Sequence, residues 1–154
     1  MSLGTPTRLG RTDVRELLLD THAFIWLIQG VRLDDRALPK VRAALTAGML
    51  FVSPVSAWEI GMLCSPRGSQ PPRLRLSPDA KSWYLDALRL PGLREAPLTS
   101  TAALDAVTLP GELHRDPADR LLVATARERG AALVTSDGAL IAYANAGHLD
   151  VLPC

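Results

Sequence analysis

Four carboxylates in this sequence occupy positions from which they could act together on a phosphate group or hold a cation. Two of them follow short apolar runs that are typical of buried strands, and two lie near the starts of predicted helices. In chain order they are Asp20, Glu59, Asp119 and Asp137. Because strand ends and helix starts meet at one edge of a parallel sheet, the fold could bring all four together.

Each of these acids also has a purely structural explanation. Asp20 and Asp137 each precede a predicted helix, where an aspartate commonly caps the free backbone N–H groups. Glu59 is the third residue after Ser56, and that spacing forms a capping box if Ser56 begins the helix. A negative charge at Asp119, in a first helical turn, is favoured by the helix dipole. Considered singly, none of the four establishes a catalytic site.

Considered together, the four acids favour a cation. Like charges in one small space repel one another, which raises their pKa values or destabilises the fold unless a cation balances them. A site built from carboxylates suits a hard divalent cation, so we predict Mg²⁺, with Mn²⁺ as a possible substitute. The three histidines, at positions 22, 114 and 148, lack the paired spacing of a zinc site. A hard cation in such a cluster supports hydrolysis of a phosphodiester.

The segments that must position these acids alternate between strand and helix. The predicted strands cover residues 16–19, 49–52, 93–96, 131–135 and 149–152. The predicted helices cover residues 22–29, 38–47, 56–63, 78–89, 101–107, 117–129 and 138–144. Such alternation predicts an α/β fold, a three-layer α/β/α sandwich with a mainly parallel central sheet.

Length and composition fit one compact domain. The chain has 154 residues, of which 47% are hydrophobic and 21% charged, enough to bury a core without disulfides. We assign residues 14–154 to a single domain and residues 1–13 to an N-terminal tail, of which residues 1–4 resemble a vector-derived extension. Two widely separated cysteines, with no signal-like or membrane-spanning apolar run, predict a cytoplasmic protein that does not enter a membrane.

The charge balance limits how nucleic acid could bind and which phosphate chemistry is available. The formal net charge is +1, so no overall field draws the molecule onto a polyanion, and contacts with phosphates must be local. Only two basic residues are lysines, Lys40 and Lys81, and neither follows the last two acidic motifs. Haloacid-dehalogenase-like phosphatases and receiver domains become phosphorylated on one of their own aspartates and use a lysine near the phosphoryl group. The placement of the two lysines therefore argues against this class of protein.

Four short motifs carry a resemblance to a known family. They are Leu-Leu-Leu-Asp-Thr-His at 17–22, Ser-Ala-Trp-Glu-Ile at 56–60, His-Arg-Asp-Pro-Ala-Asp-Arg-Leu-Leu-Val-Ala at 114–124 and Leu-Val-Thr-Ser-Asp at 133–137. In this order and at these separations they resemble the motifs of PIN-domain ribonucleases of the VapC toxin type. The resemblance spans residues 17–152, nearly the whole chain.

The resemblance implies roles for particular residues. An acidic quartet would be catalytic and would hold Mg²⁺ or Mn²⁺: Asp20, Glu59, Asp119 and Asp137. Two hydroxyls and a helix cap would support it: Thr21, Thr135 and Asp116. Two arginines beside the third motif are candidates for clamping substrate phosphates: Arg115 and Arg120. The sequence shows no aromatic platform for bases, so we expect specificity to depend on RNA shape.

The implied function is endonucleolytic cleavage of RNA that inhibits translation, as the toxin of a type II toxin–antitoxin pair. The implied partners are RNA, a cognate antitoxin protein and a second copy in a homodimer. The apolar runs 23–28 and 58–63 are candidates for contacts with a second protomer or an antitoxin helix. Two alternatives remain: an RNA-processing nuclease without a toxin role, and a non-catalytic binding domain whose carboxylates serve only as helix caps.

Overall fold

The computed structural model describes residues 14–154, so the predicted N-terminal tail lies outside the described part. Within that part, five strands form one sheet and seven helices surround it. The strands are β1 (Leu17–Leu19), β2 (Leu50–Val52), β3 (Leu93–Glu95), β4 (Ala132–Thr135) and β5 (Val151–Pro153). The helices are α1 (Thr21–Gln29), α2 (Leu38–Thr46), α3 (Pro54–Cys64), α4 (Ala80–Ala87), α5 (Ser100–Asp105), α6 (Pro117–Arg129) and α7 (Gly138–Asn145).

The order of the strands creates a switch point in the middle of the sheet. The strands lie in the order β3-β2-β1-β4-β5, and every neighbouring pair is parallel. The chain therefore builds outward from β1 to one edge before it returns to build the other half from β4. In open parallel sheets, the crevice beyond the strand ends at such a switch point is where ligands bind.

Alternating side chains divide the core into two parts, one on each face of the sheet. In β1, Leu17 and Leu19 join the cluster beneath α1, α2 and α4, whereas Leu18 joins the cluster beneath α6 and α7. The central residues of the neighbouring strands, Phe51 and Leu133, lie on the same side as Leu18. Helices therefore cover both faces, which confirms the predicted α/β/α sandwich. The sheet is parallel throughout.

The start of α3 differs from the prediction in a way that affects the site. The helix begins at Pro54, and the hydroxyl of Ser53 caps it by accepting a hydrogen bond from Val55 N at 3.1 Å. The predicted capping box at Ser56 was therefore wrong, because an equivalent serine with a following proline stands three residues earlier. Glu59 consequently lies in the second turn of α3 and caps nothing.

The remaining predicted elements are present within two residues of their predicted ends. The largest local change is at α4, which begins at Ala80 rather than Pro78 because Asp79 caps it. Asp79 Oδ1 accepts a hydrogen bond from Ser82 N at 2.9 Å. None of the helices in residues 14–154 combines the length and the apolar character that crossing a bilayer requires.

Gly92, in the turn between α4 and β3, allows the chain to pass very close to α2. It has a φ of +88°, and a Cβ at this position would lie 1.7 Å from the carbonyl oxygen of Leu45. We predict that Gly92→Ala lowers the free energy of unfolding by about 3 kcal/mol or more, since backbone must move. Denaturation in urea would measure the loss.

Gly30 provides the matched control. Its φ is also positive, at +72°, but a Cβ there would meet no atom within 4 Å. Gly30→Ala should therefore cost only the left-handed backbone strain of about 1 to 2 kcal/mol. Equal losses in the two variants would contradict the close packing of Gly92 against α2.

Candidate active site

An open cleft of about 510 Å³ lies beyond the ends of β1 and β4, at the switch point of the sheet. Its lining contains five carboxylates from four separate parts of the sequence: Asp20, Glu59, Asp116, Asp119 and Asp137. The structure thus brings together all four acids of the predicted quartet, with Asp116 as a fifth. Because β1 and β4 are adjacent, the residues that follow them, Asp20 and Asp137, become neighbours.

Three of these acids are held in place by capping helices. Oδ1 of Asp20 accepts a hydrogen bond from Ala23 N at 2.8 Å, at the start of α1. Oδ1 of Asp116 accepts from Asp119 N at 3.0 Å, at the start of α6. Asp137 Oδ1 accepts from two N–H groups in the first turn of α7, at 2.9 and 3.0 Å. The capping interpretation is therefore correct for three acids, and the caps aim all three helix starts at one cleft.

Glu59 is held by a hydroxyl on the neighbouring helix. Thr21 Oγ1 donates to Glu59 Oε1 at 2.5 Å and lies 3.0 Å from Oγ of Ser56, which is fully buried. Burial raises the pKa of Glu59, the Thr21 hydroxyl opposes that rise, and the negative charge of Asp116 adds to it. Thr21 thus contacts both Glu59 and Ser56, although the sequence suggested only a capping role for Ser56.

His114 positions Asp119 from the loop before α6. Its Nε2 lies 3.3 Å from Asp119 Oδ2, and its Nδ1 accepts a hydrogen bond from Asp116 N at 3.3 Å. The imidazole ring of His114 therefore lies between the backbone of Asp116 and the carboxylate of Asp119. The sequence assigned His114 no role, although its place in the third motif was a signal.

The carboxyl group of Asp119 has a strongly raised pKa. Burial raises its pKa to about 6, and the negative charges of Asp116, Asp137 and Glu59 contribute to the rise. The positive charge that His114 can carry acts in the opposite direction. The site therefore disfavours the ionised form of this acid, as expected for a carboxylate that is partly buried beside other carboxylates.

Asp20 is the most buried of the five acids, with 7% of its surface exposed. Burial raises its pKa, and the charge of Asp137 adds slightly, whereas the hydroxyl of Thr135 and the N–H of Ala23 lower it. Thr135 is itself fully buried, and its Oγ1 accepts a hydrogen bond from Asp137 N at 3.0 Å. Thr135 therefore connects the two acids that follow the central strands.

The donor set and the openness of the cleft fit a hydrated divalent cation. Among residues 14–154, no lysine or arginine forms an ion pair with these five carboxylates. In the same part of the chain, no three His, Cys, Asp or Glu side chains converge closely enough to enclose an ion by themselves. Mg²⁺ usually keeps several waters and takes one or two carboxylates with substrate phosphates, which matches this arrangement better than a closed zinc site does.

The two arginines predicted to contact phosphates lie outside the cleft. Arg120 donates from Nε to the carbonyl of Ala106 at 2.7 Å and from its terminal nitrogens to Leu113 at 3.1 Å and Val107 at 3.3 Å. Its guanidinium therefore ties α5 to the loop before α6. Arg115 is exposed and lines a neighbouring groove of about 630 Å³. We assign Arg120 to anchoring the loop that carries the third motif.

Comparison with known sequences identifies the family. The model of the PIN domain family matches residues 17–146. The curated protein Ribonuclease VapC22 from Mycobacterium tuberculosis is 34% identical over 122 residues, which are 79% of this chain and 86% of that protein. The matched region contains the whole of the cleft described above.

Comparison with solved structures supports the fold. VapBC2 from Rickettsia felis bound to a promoter DNA fragment gives a TM-score of 0.60 at 16% identity, covering 89% of this chain and 97% of that chain. DNA-bound VapBC from Salmonella typhimurium gives a TM-score of 0.60 at 15% identity, covering 90% and 98%. At these identities the likeness shows the fold alone, whereas the family match and the curated relative rest on sequence. The chain therefore belongs to the PIN domain family, and within it to the VapC type.

Proposed function

We propose that this protein is a Mg²⁺-dependent endoribonuclease that serves as the toxin of a toxin–antitoxin pair. One observation carries the proposal: five carboxylates from four segments of the chain meet in one cleft, and no lysine or arginine among residues 14–154 forms an ion pair with any of them. Such a cluster requires a cation, and a cation beside a phosphodiester supports its hydrolysis. The relation to a curated ribonuclease supports RNA as the substrate.

Four residues would surround the hydrated cation and bind it directly or through its waters: Asp20, Glu59, Asp119 and Asp137. When bound, Mg²⁺ or Mn²⁺ would neutralise charge on the phosphate and increase the acidity of water at the site. The chain's own contribution is geometry: the cap on α1 fixes Asp20, Thr21 fixes Glu59, and His114 fixes Asp119. Thr135 and Asp116 support the quartet through the hydrogen bonds described above.

The binding-only alternative explains the site less completely. Helix capping accounts for Asp20, Asp116 and Asp137, but Glu59 and Asp119 cap no helix. Both lie in the cleft beside other carboxylates, where burial and neighbouring negative charge raise their pKa values. A nuclease without a toxin role would use the same cleft, and only expression in a host, with growth as the readout, separates the two.

The proposed partners and setting follow from the family. The solved neighbours are described as VapBC complexes, which supports a cognate antitoxin.

We also propose a homodimer, since Leu104 and Val107 near α5 are 71% and 75% exposed. Trp58 is the exposed large side chain of the apolar run 58–63, whereas Phe24 and Ile25 of the other run are buried. We propose a cytoplasmic location and a single PIN-like domain over residues 14–154.

Arg115 remains a proposed contact for substrate. It is exposed immediately before Asp116, at the rim of the groove beside the cleft. A guanidinium there can pair with a phosphate of an RNA strand that extends from the cleft into this groove.

Removal of one carboxylate should abolish cleavage. We predict that Asp119→Asn lowers the rate of RNA cleavage by about 100-fold or more, because the cation loses a ligand that is also charged. Purified protein, total RNA and Mg²⁺ suffice for the assay, and a chelator should stop the reaction. Asp86→Asn, at an exposed acid on α4 that does not line the cleft, is the control. Equal cleavage by Asp119→Asn and the wild type would rule out this site.

The raised pKa of Asp119 should also appear in the dependence of stability on pH. The folded protein binds this proton with a pKa of about 6 against an ordinary value of 3.8. Between these values the folded state holds more protons than the unfolded chain, so the free energy of unfolding falls as the pH rises through the window.

We predict that, in the presence of a chelator, this decline is smaller in Asp119→Asn than in the wild type. Unfolding by urea at a series of pH values from about 4 to about 6 would measure the difference. Saturating Mg²⁺ should restore wild-type stability at the upper end of the window. An equal dependence of the free energy of unfolding on pH in the two proteins would show that the pKa of Asp119 is not raised in the folded state.

A further inference from the structure

Two aromatic side chains form one wall of the cleft, next to its carboxylates. His22 and Trp26 line the cleft beside the five acids. They are four residues apart on α1 and therefore share one face of the helix. Their ring centroids are 6.0 Å apart, with 49° between the ring planes. Because α1 starts at the cap formed by Asp20, the wall begins within one turn of that carboxylate.

Core packing explains only part of this wall. Trp26 is half-buried and one side of it contacts the main core cluster, as an ordinary core residue would. Trp83 shows the purely structural case, since it packs edge-on against Phe24 with centroids 5.6 Å apart and does not line the cleft. His22 is exposed, and no hydrogen bond or ion pair within residues 14–154 engages its ring. The aromatic surface in the cleft is therefore open to a ligand.

The charges that line the rest of the cleft indicate how a nucleic acid could bind there. Its lining contains no lysine or arginine within the described residues, so the protein itself offers little attraction for phosphates there. Stacking of bases on aromatic rings is the main alternative source of affinity for nucleic acid. Bases in a duplex are already stacked and paired, whereas unpaired bases can be splayed onto a protein surface.

We propose that His22 and Trp26 form a platform that stacks an unpaired base of the RNA next to the carboxylates. This inference rests on the proposed ribonuclease function and names the residues that would bind a base beside the site. It replaces the expectation, drawn from the sequence, that specificity depends on RNA shape. The sequence did not reveal the aromatic pair, because only the folded structure shows that His22 and Trp26 line the same cleft as the carboxylates.

Binding experiments separate the platform from catalysis. All proteins carry Asp119→Asn to prevent cleavage, with Mg²⁺ present. The probe is a labelled single-stranded oligoadenylate of about 12 nucleotides, compared with its duplex with oligouridylate. We expect Trp26→Leu to weaken single-strand binding by about tenfold or more, the effect of losing one stacked base, and to abolish the preference over duplex. Trp26→Phe should retain most of the affinity.

Trp58→Leu is the matched control. Trp58 is 54% exposed and adjacent to Glu59 in sequence, but it does not line the cleft. Its replacement should leave both affinities unchanged. Binding of the oligoadenylate should also quench tryptophan fluorescence, and Trp26→Phe should remove that quenching while binding persists.

Two results would overturn the platform. One is equal single-strand affinity for Trp26→Leu and Trp58→Leu, and the other is quenching that persists in Trp26→Phe. If Trp26→Leu does not fold, the Trp26→Phe quenching result and the binding of His22→Ala decide the question, with weaker single-strand binding expected for His22→Ala. Failure of the wild-type protein to cleave RNA, together with Trp26-dependent binding, would reject the ribonuclease function and keep the platform.

Discussion

The burial and crowding of carboxylates at one edge of the sheet is the constraint on which the rest of this structure depends. The parallel sheet places the residues after β1 and β4 side by side, and the helices that follow them start at the same edge. Burial and neighbouring negative charge raise the pKa values of Asp20, Glu59 and Asp119. The cluster persists because helix caps, a threonine hydroxyl and the two apolar layers hold it. The fold thus holds an electrostatically unfavourable arrangement, which the proposed cation would relieve.

The same contacts serve stability and function. Asp20, Asp116 and Asp137 each stabilise a helix start with Oδ1 while their carboxylates line the cleft. Arg120 contributes indirectly, because its bonds to carbonyl groups fix the loop that presents the third motif. Beside the acids, α1 presents two aromatic rings, so one helix contributes both the carboxylate at its cap and the aromatic part of the cleft lining. Substitutions in this region therefore change stability and chemistry together.

The sheet and the quartet could be predicted from the sequence because both depend on local patterns. Apolar runs marked the strands, and the rule that parallel strand ends share an edge placed Asp20 beside Asp137. The cap of α3 was missed because Ser53 and Ser56 are equivalent candidates locally, and only packing decides between them. His114, Arg120 and the His22–Trp26 wall depend on contacts between segments that no periodicity encodes. For the same reason, the sequence suggested that Arg120 contacts substrate phosphates, whereas its guanidinium is bonded to backbone carbonyls outside the cleft.

The central claim is that these acids form one cation site, and a crystal structure of the protein grown with saturating Mn²⁺ tests it most directly. Anomalous scattering locates manganese without reference to any assumption about its ligands. The account predicts an anomalous peak in the cleft, with carboxylate oxygens from both the β1 and β4 sides bound to the ion and water completing its shell. A map with manganese bound elsewhere and no peak among these carboxylates would contradict the account.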